Sequence, residues 1–193
     1  MGTSYHVRRK NFTGGKSVLD TRLFRDALGQ FPTGVTIITT VTTGGDRLGM
    51  TISSFNSLSL DPPLVLFSIW REANSFVAWQ QAERYAINVL SEDQEELSNK
   101  FARAKGEKWI GQTVLSGKTG LPLLPNAVLT FECEAYDRHD GGDHEIFVGR
   151  VVELHENRAK RGRPLVFFGG QYRRLGTVEA NAPADIVNFL HGW

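Results

Sequence analysis

The run Val35-Thr36-Ile37-Ile38-Thr39-Thr40-Val41-Thr42, followed by Thr43-Gly44-Gly45-Asp46 and then Leu48-Gly49-Met50-Thr51-Ile52-Ser53-Ser54-Phe55, decides the fold. The first run is β-branched almost throughout, which stiffens its side chains and suits a pleated strand. Two glycines and an aspartate then supply turn chemistry, and the chain returns through residues 48–55. The pattern predicts a β-hairpin. At its far end it carries a cluster of small polar side chains: Thr51, Ser53, Ser54, Asn56, Ser57 and Ser59. Small hydroxyls beside free backbone N–H groups suit an anionic group such as a phosphate. The same residue types also favour ordinary turns.

Outward from the hairpin, Asp20 can cap a helix running to about Gln30, with Leu23, Phe24, Ala27, Leu28 and Phe31 on one face. Pro32-Thr33-Gly34 ends it. Leu60-Asp61-Pro62-Pro63 breaks the chain before a strand at residues 64–70, apolar on both sides and therefore read as central. Asn74 or Ser75 can cap a short helix through Gln81, and residues 86–90 read as a strand. Ser91-Glu92-Asp93-Gln94 has capping-box form and predicts a helix to about Ala102.

Residues 103–127 are rich in Gly, Lys and Pro and read as a long loop, of the kind often functional or interfacial. Residues 128–136 alternate, with Glu132 and Glu134 on a wetter face, and pair as a hairpin with residues 146–154 across a turn at residues 139–144. Residues 156–163 form a charged turn, residues 164–168 a last strand, and residues 183–190 a possible helix. About seven closely spaced strands with three or four short helices predict a mainly β chain, a small antiparallel barrel.

The 193 residues suit one domain, and an apolar content of 40% is enough for a core. The expected division is an arm at 1–19, a barrel domain at 20–176 and a tail at 177–193. A net charge of +1 gives nucleic-acid binding no electrostatic support. The single cysteine, Cys133, excludes an internal disulfide, fits a reducing compartment and reads as a core residue. No apolar run approaches a membrane span, and residues 1–19 lack the apolar stretch of a secretory signal. Glycine-rich dinucleotide and phosphate loops are absent from the sequence, as are paired Cys-x-x-Cys and His-Glu-x-x-His. His6, His139, His155 and His191 lack metal-ligand spacing, so no metal site is expected.

Two side chains stand out for chemistry. His144 closes a Gly-Gly-Asp-His turn and can meet a polar ligand, or simply bond Asp143. Tyr172 follows Gly169-Gly170-Gln171, where glycines permit the close approach of a flat ring, though Tyr is also a common sheet residue. Arg71 can grip a phosphate with two donors, or form a surface ion pair.

Several segments together resemble a known family. They are residues 24–35 (Phe-Arg-Asp-Ala-Leu-Gly-Gln-Phe-Pro-Thr-Gly-Val), Gly49-Met50-Thr51 with Ser53-Ser54-Phe55, and Ser59-Leu60-Asp61-Pro62-Pro63-Leu64-Val65. Gly142-Asp143-His144 with Ile146 and Gly149, and Pro164-Leu165 with Gly169-Gly170-Gln171-Tyr172, complete the set. The order and spacing resemble the flavin reductase-like family, small NAD(P)H:flavin oxidoreductases of two-component monooxygenases, over about residues 20–176. The resemblance implies a cytoplasmic, homodimeric split barrel holding FMN or FAD, with NADH or NADPH as electron donor. Reduced flavin would pass to a partner flavin-dependent oxygenase. Carried over, Gly49, Met50 and Thr51 would lie along the flavin ring, and Ser53 and Ser54 would bind its ribityl or phosphate oxygens. Ser68, Ile69, Trp70, Arg71 and Asn74 would form the next wall, with Phe101 and Ala102 adding a contact. His144 and Tyr172 would face the nicotinamide, His144 as the catalytic residue. Ser53 stands where relatives often carry Asn, and Trp70 is bulky for its position. Two other readings share the resemblance: a tightly bound flavin serving an oxidase or electron carrier, and a non-catalytic flavin-binding barrel.

Overall fold

The computed structural model describes residues 19–103 and 107–176. The expected tail helix at 183–190, and all of the arm but Leu19, lie outside the described residues. The chain runs α1 (Thr21–Leu28), β1 (Thr33–Gly34), β2 (Thr36–Val41), β3 (Arg47–Ile52), β4 (Asn56–Ser59) and β5 (Leu64–Trp70). It continues through α2 (Phe76–Gln80), β6 (Arg84–Val89), α3 (Glu95–Ala102), β7 (Leu115–Ser116) and β8 (Pro122–Leu123). β9 (Leu129–Gly141), β10 (His144–Glu156), β11 (Val166–Phe168) and β12 (Gln171–Arg173) follow.

Seven strands form one antiparallel sheet in the order β3-β2-β6-β9-β10-β5-β4. Its two edges, β3 and β4, are neighbours in sequence, joined only by Ser53-Ser54-Phe55. That short link brings the edges together, so the sheet curls into a barrel. The β2–β3 hairpin forms as predicted, with Thr36 opposite Ile52 and Val41 opposite Arg47. β5 is not central: it lies next to the edge, and its burial alternates, with Val65, Phe67 and Ile69 inward. The β9–β10 hairpin is longer than expected, because residues 139–141 pair rather than turn. Its reversal is confined to Gly142-Asp143, where Gly142 takes a φ of 77° that favours glycine.

The barrel interior is packed with Ile38, Phe67, Ile69, Tyr85, Ile87, Cys133 and Phe147. Phe67 stacks on Phe147 at 5.3 Å and meets Tyr85 edge-on at 5.1 Å. Gly149 permits this packing: a Cβ there would lie 2.7 Å from the Tyr85 ring. Trp79, the one buried residue of α2, joins the same cluster. Burial of these rings, each worth roughly 1.5–3 kcal/mol, is the main force closing the barrel.

A second cluster, Val35, Ile37, Leu90, Phe101, Leu124 and Leu165, packs α3 and the strand β11 region against the other face of β2. Here α3 starts later than the capping pattern implied. The Gln94 side chain accepts from the Ser91 N–H at 3.0 Å, and the helix begins only at Glu95.

Two expectations about surfaces are corrected. α1 is capped as predicted, with the Asp20 carboxylate accepting from the Arg22 and Leu23 amides at 2.9 and 3.2 Å. Its apolar face, however, buries nothing: Leu23, Phe24 and Leu28 are exposed. Glu132, placed on a wetter face by alternation, is fully buried. The loop before β8 folds over it, and its carboxylate accepts from the Lys118 and Thr119 amides at 2.9 Å, the Thr119 hydroxyl, and His155 Nε2 at 2.6 Å. Burial pushes its pKa up, yet these hydrogen bonds outweigh that and hold it below the usual glutamate value. Gly117 leaves room for this, since a Cβ there would lie 2.6 Å from the carboxyl carbon.

Candidate functional site

The barrel is latched by a serine. Ser54 Oγ accepts from the Ser68 N–H and donates to the Ser68 carbonyl, both at 3.0 Å. The latch joins the turn after β3 to the interior of β5. The start of β3 and the segment after β5 line a common cleft of about 430 Å³. Leu48 and Gly49 stand on one side, Asn74 and Ser75 on another, and Lys108 and Trp109 form a third wall.

Gly49 is bare for a packing reason. A Cβ there would fall 2.6 Å from Phe101 Cδ1, nearer still to Cε1, and 3.0 Å from Trp109. Those two rings meet edge to face at 5.0 Å and 86°. Lys100 Nζ donates to the Ile110 carbonyl at 2.6 Å, tying the 108–110 segment to α3. Lys108 Nζ donates to the Gly49 carbonyl at 3.2 Å and to the Phe101 carbonyl at 2.9 Å. Burial pushes the pKa of this ammonium down from the usual lysine value.

α3 gathers more of the expected residues. Thr51 Oγ1 donates to the Ser98 carbonyl at 2.7 Å. Tyr172 OH donates to Asn99 Oδ1 at 3.1 Å, so the Ser98 hydroxyl, 2.8 Å away, is the donor to Tyr172. Tyr172 is further held edge-on to Phe167 at 5.5 Å.

A second group forms where β5 ends and β10 begins. His144 lies opposite Trp70 in the ladder, and both are solvent-accessible. Asp143 Oδ1 bonds His144 Nδ1 at 2.7 Å, which leaves Nε2 to meet a ligand. The same bond holds the Asp143 carboxyl below its usual pKa. Arg71 grips its own fold: it donates to Glu145 at 3.0 Å, Asp140 at 2.7 Å and the Gly142 carbonyl at 3.1 Å.

Gly49, Thr51, Asn74, Phe101 and Tyr172 are therefore gathered about the cleft and α3. Ser54, Ser68, Trp70, Arg71 and His144 follow the latch and the strand ends. Met50 and Ile69 pack toward the barrel core, while Ser53 and Ala102 are exposed. Tyr172 and His144 belong to different groups, Tyr172 on β12 bonded to α3 and His144 at the β9–β10 turn. Sequence reasoning missed Lys108, Trp109, Ser98 and Asn99. Lys108-Trp109 falls in an aperiodic stretch, and only the charge-beside-aromatic pair marked it.

Comparison with known proteins gives this geometry its context. The flavin reductase like domain matches residues 28–176. An FMN reductase (NADH), SmoA, of Agrobacterium fabrum is 42% identical over 156 residues, covering 81% of this chain and 87% of that protein. The reductase subunit HsaB of a flavin-dependent monooxygenase from Rhodococcus jostii is 40% identical over 175 residues, covering 89% and 88%. Among solved structures, an NADH:FAD oxidoreductase of Streptomyces globisporus, in complex with NAD and FAD fragments, superposes with a TM-score of 0.77 at 32% identity. That likeness covers 86% of this chain and all of the other. With its split-barrel architecture and these matches along most of its length, the chain belongs to the flavin reductase-like family.

Proposed function

We propose that the protein is an NAD(P)H-dependent flavin reductase that supplies reduced FMN or FAD to a partner flavin-dependent oxygenase. The observation that carries this reading is the cleft between β3, the segment after β5 and Lys108-Trp109, in a chain whose relatives are named FMN reductase and monooxygenase reductase subunit. Its volume lies in the usual range for small-molecule sites. Its walls fit a flat ring with one polar edge: Trp109 and Leu48 are apolar, while Lys108, Asn74 and Ser75 carry donors.

When bound, the flavin supplies the hydride-accepting chemistry. The protein's part is to bind and orient. Gly49 keeps the β3 wall flat, and Thr51 is fixed by its bond to α3. His144, with Nδ1 held by Asp143, offers Nε2 to the nicotinamide and need not transfer a proton. Tyr172, its hydroxyl held by Ser98 and Asn99, would add a contact to the nicotinamide. Holding two rings in reacting orientation is where such a protein lowers the barrier. Arg71 stiffens the β9–β10 turn that presents His144.

The catalytic unit is residues 20–176, and it acts as a homodimer. The exposed apolar face of α1, with Phe31 74% accessible, supports a second copy there. A cytoplasmic location accords with a lone thiol that is reduced and buried. Among the described residues no helix is long and apolar enough to cross a membrane.

The test is aerobic NADH and NADPH oxidation, followed at the nicotinamide absorbance, with and without added FMN or FAD. A rate that requires added flavin and saturates with it supports a diffusible reductase. A rate indifferent to added flavin, in a protein that stays yellow through dialysis, points to a resident flavin and an oxidase or carrier. Absence of any rate with either donor overturns the enzymatic reading.

A further inference from the structure

We infer that Lys108 supplies the fixed positive charge of the cleft and makes it hold reduced, anionic flavin in preference to oxidised flavin. The inference rests on the flavin-reductase reading above and adds a residue to it.

The ammonium is held by two neutral oxygens, the Gly49 carbonyl on β3 and the Phe101 carbonyl at the end of α3. An ammonium has three donors, so one remains for a ligand. Carbonyls orient a cation without neutralising it. The other basic side chains near this region are differently placed. Arg71 faces Glu145 and Asp140, and Lys100 bonds the Ile110 carbonyl at the rim. Arg47 and Glu107 also line the cleft, and both are exposed. Lys108 is thus a half-buried charge beside the Phe101–Trp109 ring pair, where the medium is less polar than water and an opposite charge is felt strongly.

The depressed ammonium pKa has burial as its cause, so the charged state costs free energy where Lys108 stands. A ligand that brings negative charge offsets that cost, and a neutral one does not. The oxidised flavin ring is neutral. Two-electron reduction lets it carry a negative charge on its pyrimidine edge, and this is the state that must form here. A fixed cation at that edge therefore acts as a preorganised electrostatic stabiliser of the reduced form. The aromatic surroundings assign Lys108 to the ring, not to the flavin's phosphate.

The experiment compares wild type, Lys108→Met, Lys108→Gln and Lys108→Arg. Dissociation constants for oxidised and for anaerobically reduced FMN are measured by equilibrium titration, and riboflavin, which lacks the phosphate, is titrated in parallel. Expected for Met and Gln is a loss of roughly tenfold or more for reduced flavin, the size of one charge-assisted hydrogen bond. Oxidised flavin should weaken by less than about threefold, Arg should restore most of the difference, and riboflavin should reproduce the pattern. Equal weakening of both redox states with FMN and none with riboflavin assigns Lys108 to the phosphate and overturns the inference. Unchanged affinity for reduced flavin in Met and Gln variants that melt like wild type overturns it also. A wild type that binds neither form would instead overturn the flavin reading itself.

Discussion

Gly49→Ala is the sharpest test of how this site is built. The added methyl would lie 2.6 Å from Phe101 Cδ1 and 3.0 Å from Trp109 Cζ2. Ordinary contact begins near 3.4 Å, so the Phe101 ring must retreat by roughly an ångström. It has little room, being fully buried against Val35, Ile37, Leu90 and Leu165. Overpacking of this kind costs about 1–3 kcal/mol. For a domain of this size, that is a fall in Tm of about 2–12 °C. The same shift pushes Trp109 and the Lys108 anchor into the cleft, so flavin affinity should fall alongside stability.

The assay is thermal unfolding and flavin titration of Gly49→Ala, Phe101→Leu and the double variant. Because the most severe overlap is with the Phe101 ring, Phe101→Leu should make the second substitution far less costly, a coupling of at least about 0.5 kcal/mol. A Gly49→Ala protein with wild-type Tm and flavin affinity would refute the reasoning. Strict additivity in the double variant would refute it too, placing the damage elsewhere.

Four further outcomes are expected. His144→Ala should raise the KM for NADH or lower turnover while flavin still binds, and unaltered kinetics would take His144 out of the site. Ser54→Ala removes the latch and leaves the Ser68 N–H without its partner, for a loss of about 1–3 kcal/mol in urea unfolding; a wild-type midpoint would mean water replaces the hydroxyl. Glu132→Gln should cost about 1.5–3 kcal/mol at neutral pH, since it weakens charged hydrogen bonds in a buried pocket. The folded pKa of Glu132 lies below its usual 4.5, so its contribution is present above that pH and is lost as pH falls through the folded value. The stability gap between Glu132→Gln and wild type should therefore close in acid, and a gap constant from pH 7 to 3 would contradict the assignment. Burial, aided by the Glu132 charge, pushes the Cys133 thiol up to about 12, so a thiol reagent at pH 8 should label it only after unfolding; prompt labelling of the native protein would show the barrel opens readily.

Much of this was legible in the chain. The β2–β3 hairpin follows from a β-branched run on one side of Gly44-Gly45 and the return through residues 48–55, and it formed as read. The Asp20 cap, the β9–β10 pairing and the family motifs were local patterns too. What local pattern did not supply was which faces other segments would cover, although Cys133 was read correctly as a core residue. Alternation placed Glu132 on a wet face because it reports sides, not what lies above them. Helical spacing gave α1 an apolar face without saying whether this chain covers it. The hydroxyl of Ser54, expected at a ligand, is spent on the Ser68 backbone, and Arg71, expected near phosphate, is bound to two carboxylates.

The residues of the candidate site divide along the same line. Gly49, Thr51, His144 and Tyr172 could be named because they sit in short motifs whose spacing survives in the sequence. Lys108 and Trp109 could not, since an aperiodic segment carries no record of where it will fold back. Sequence alone determined the mainly β class, the hairpins and the family, because these rest on propensities and spacings within a few residues. Only the tertiary structure decided which hydroxyls are spent on the fold and which charge enters the cleft. Those outcomes depend on contacts between segments far apart in sequence, such as Lys108 and Gly49, 59 residues away, where burial sets the strength of a charge and local pattern has no reach.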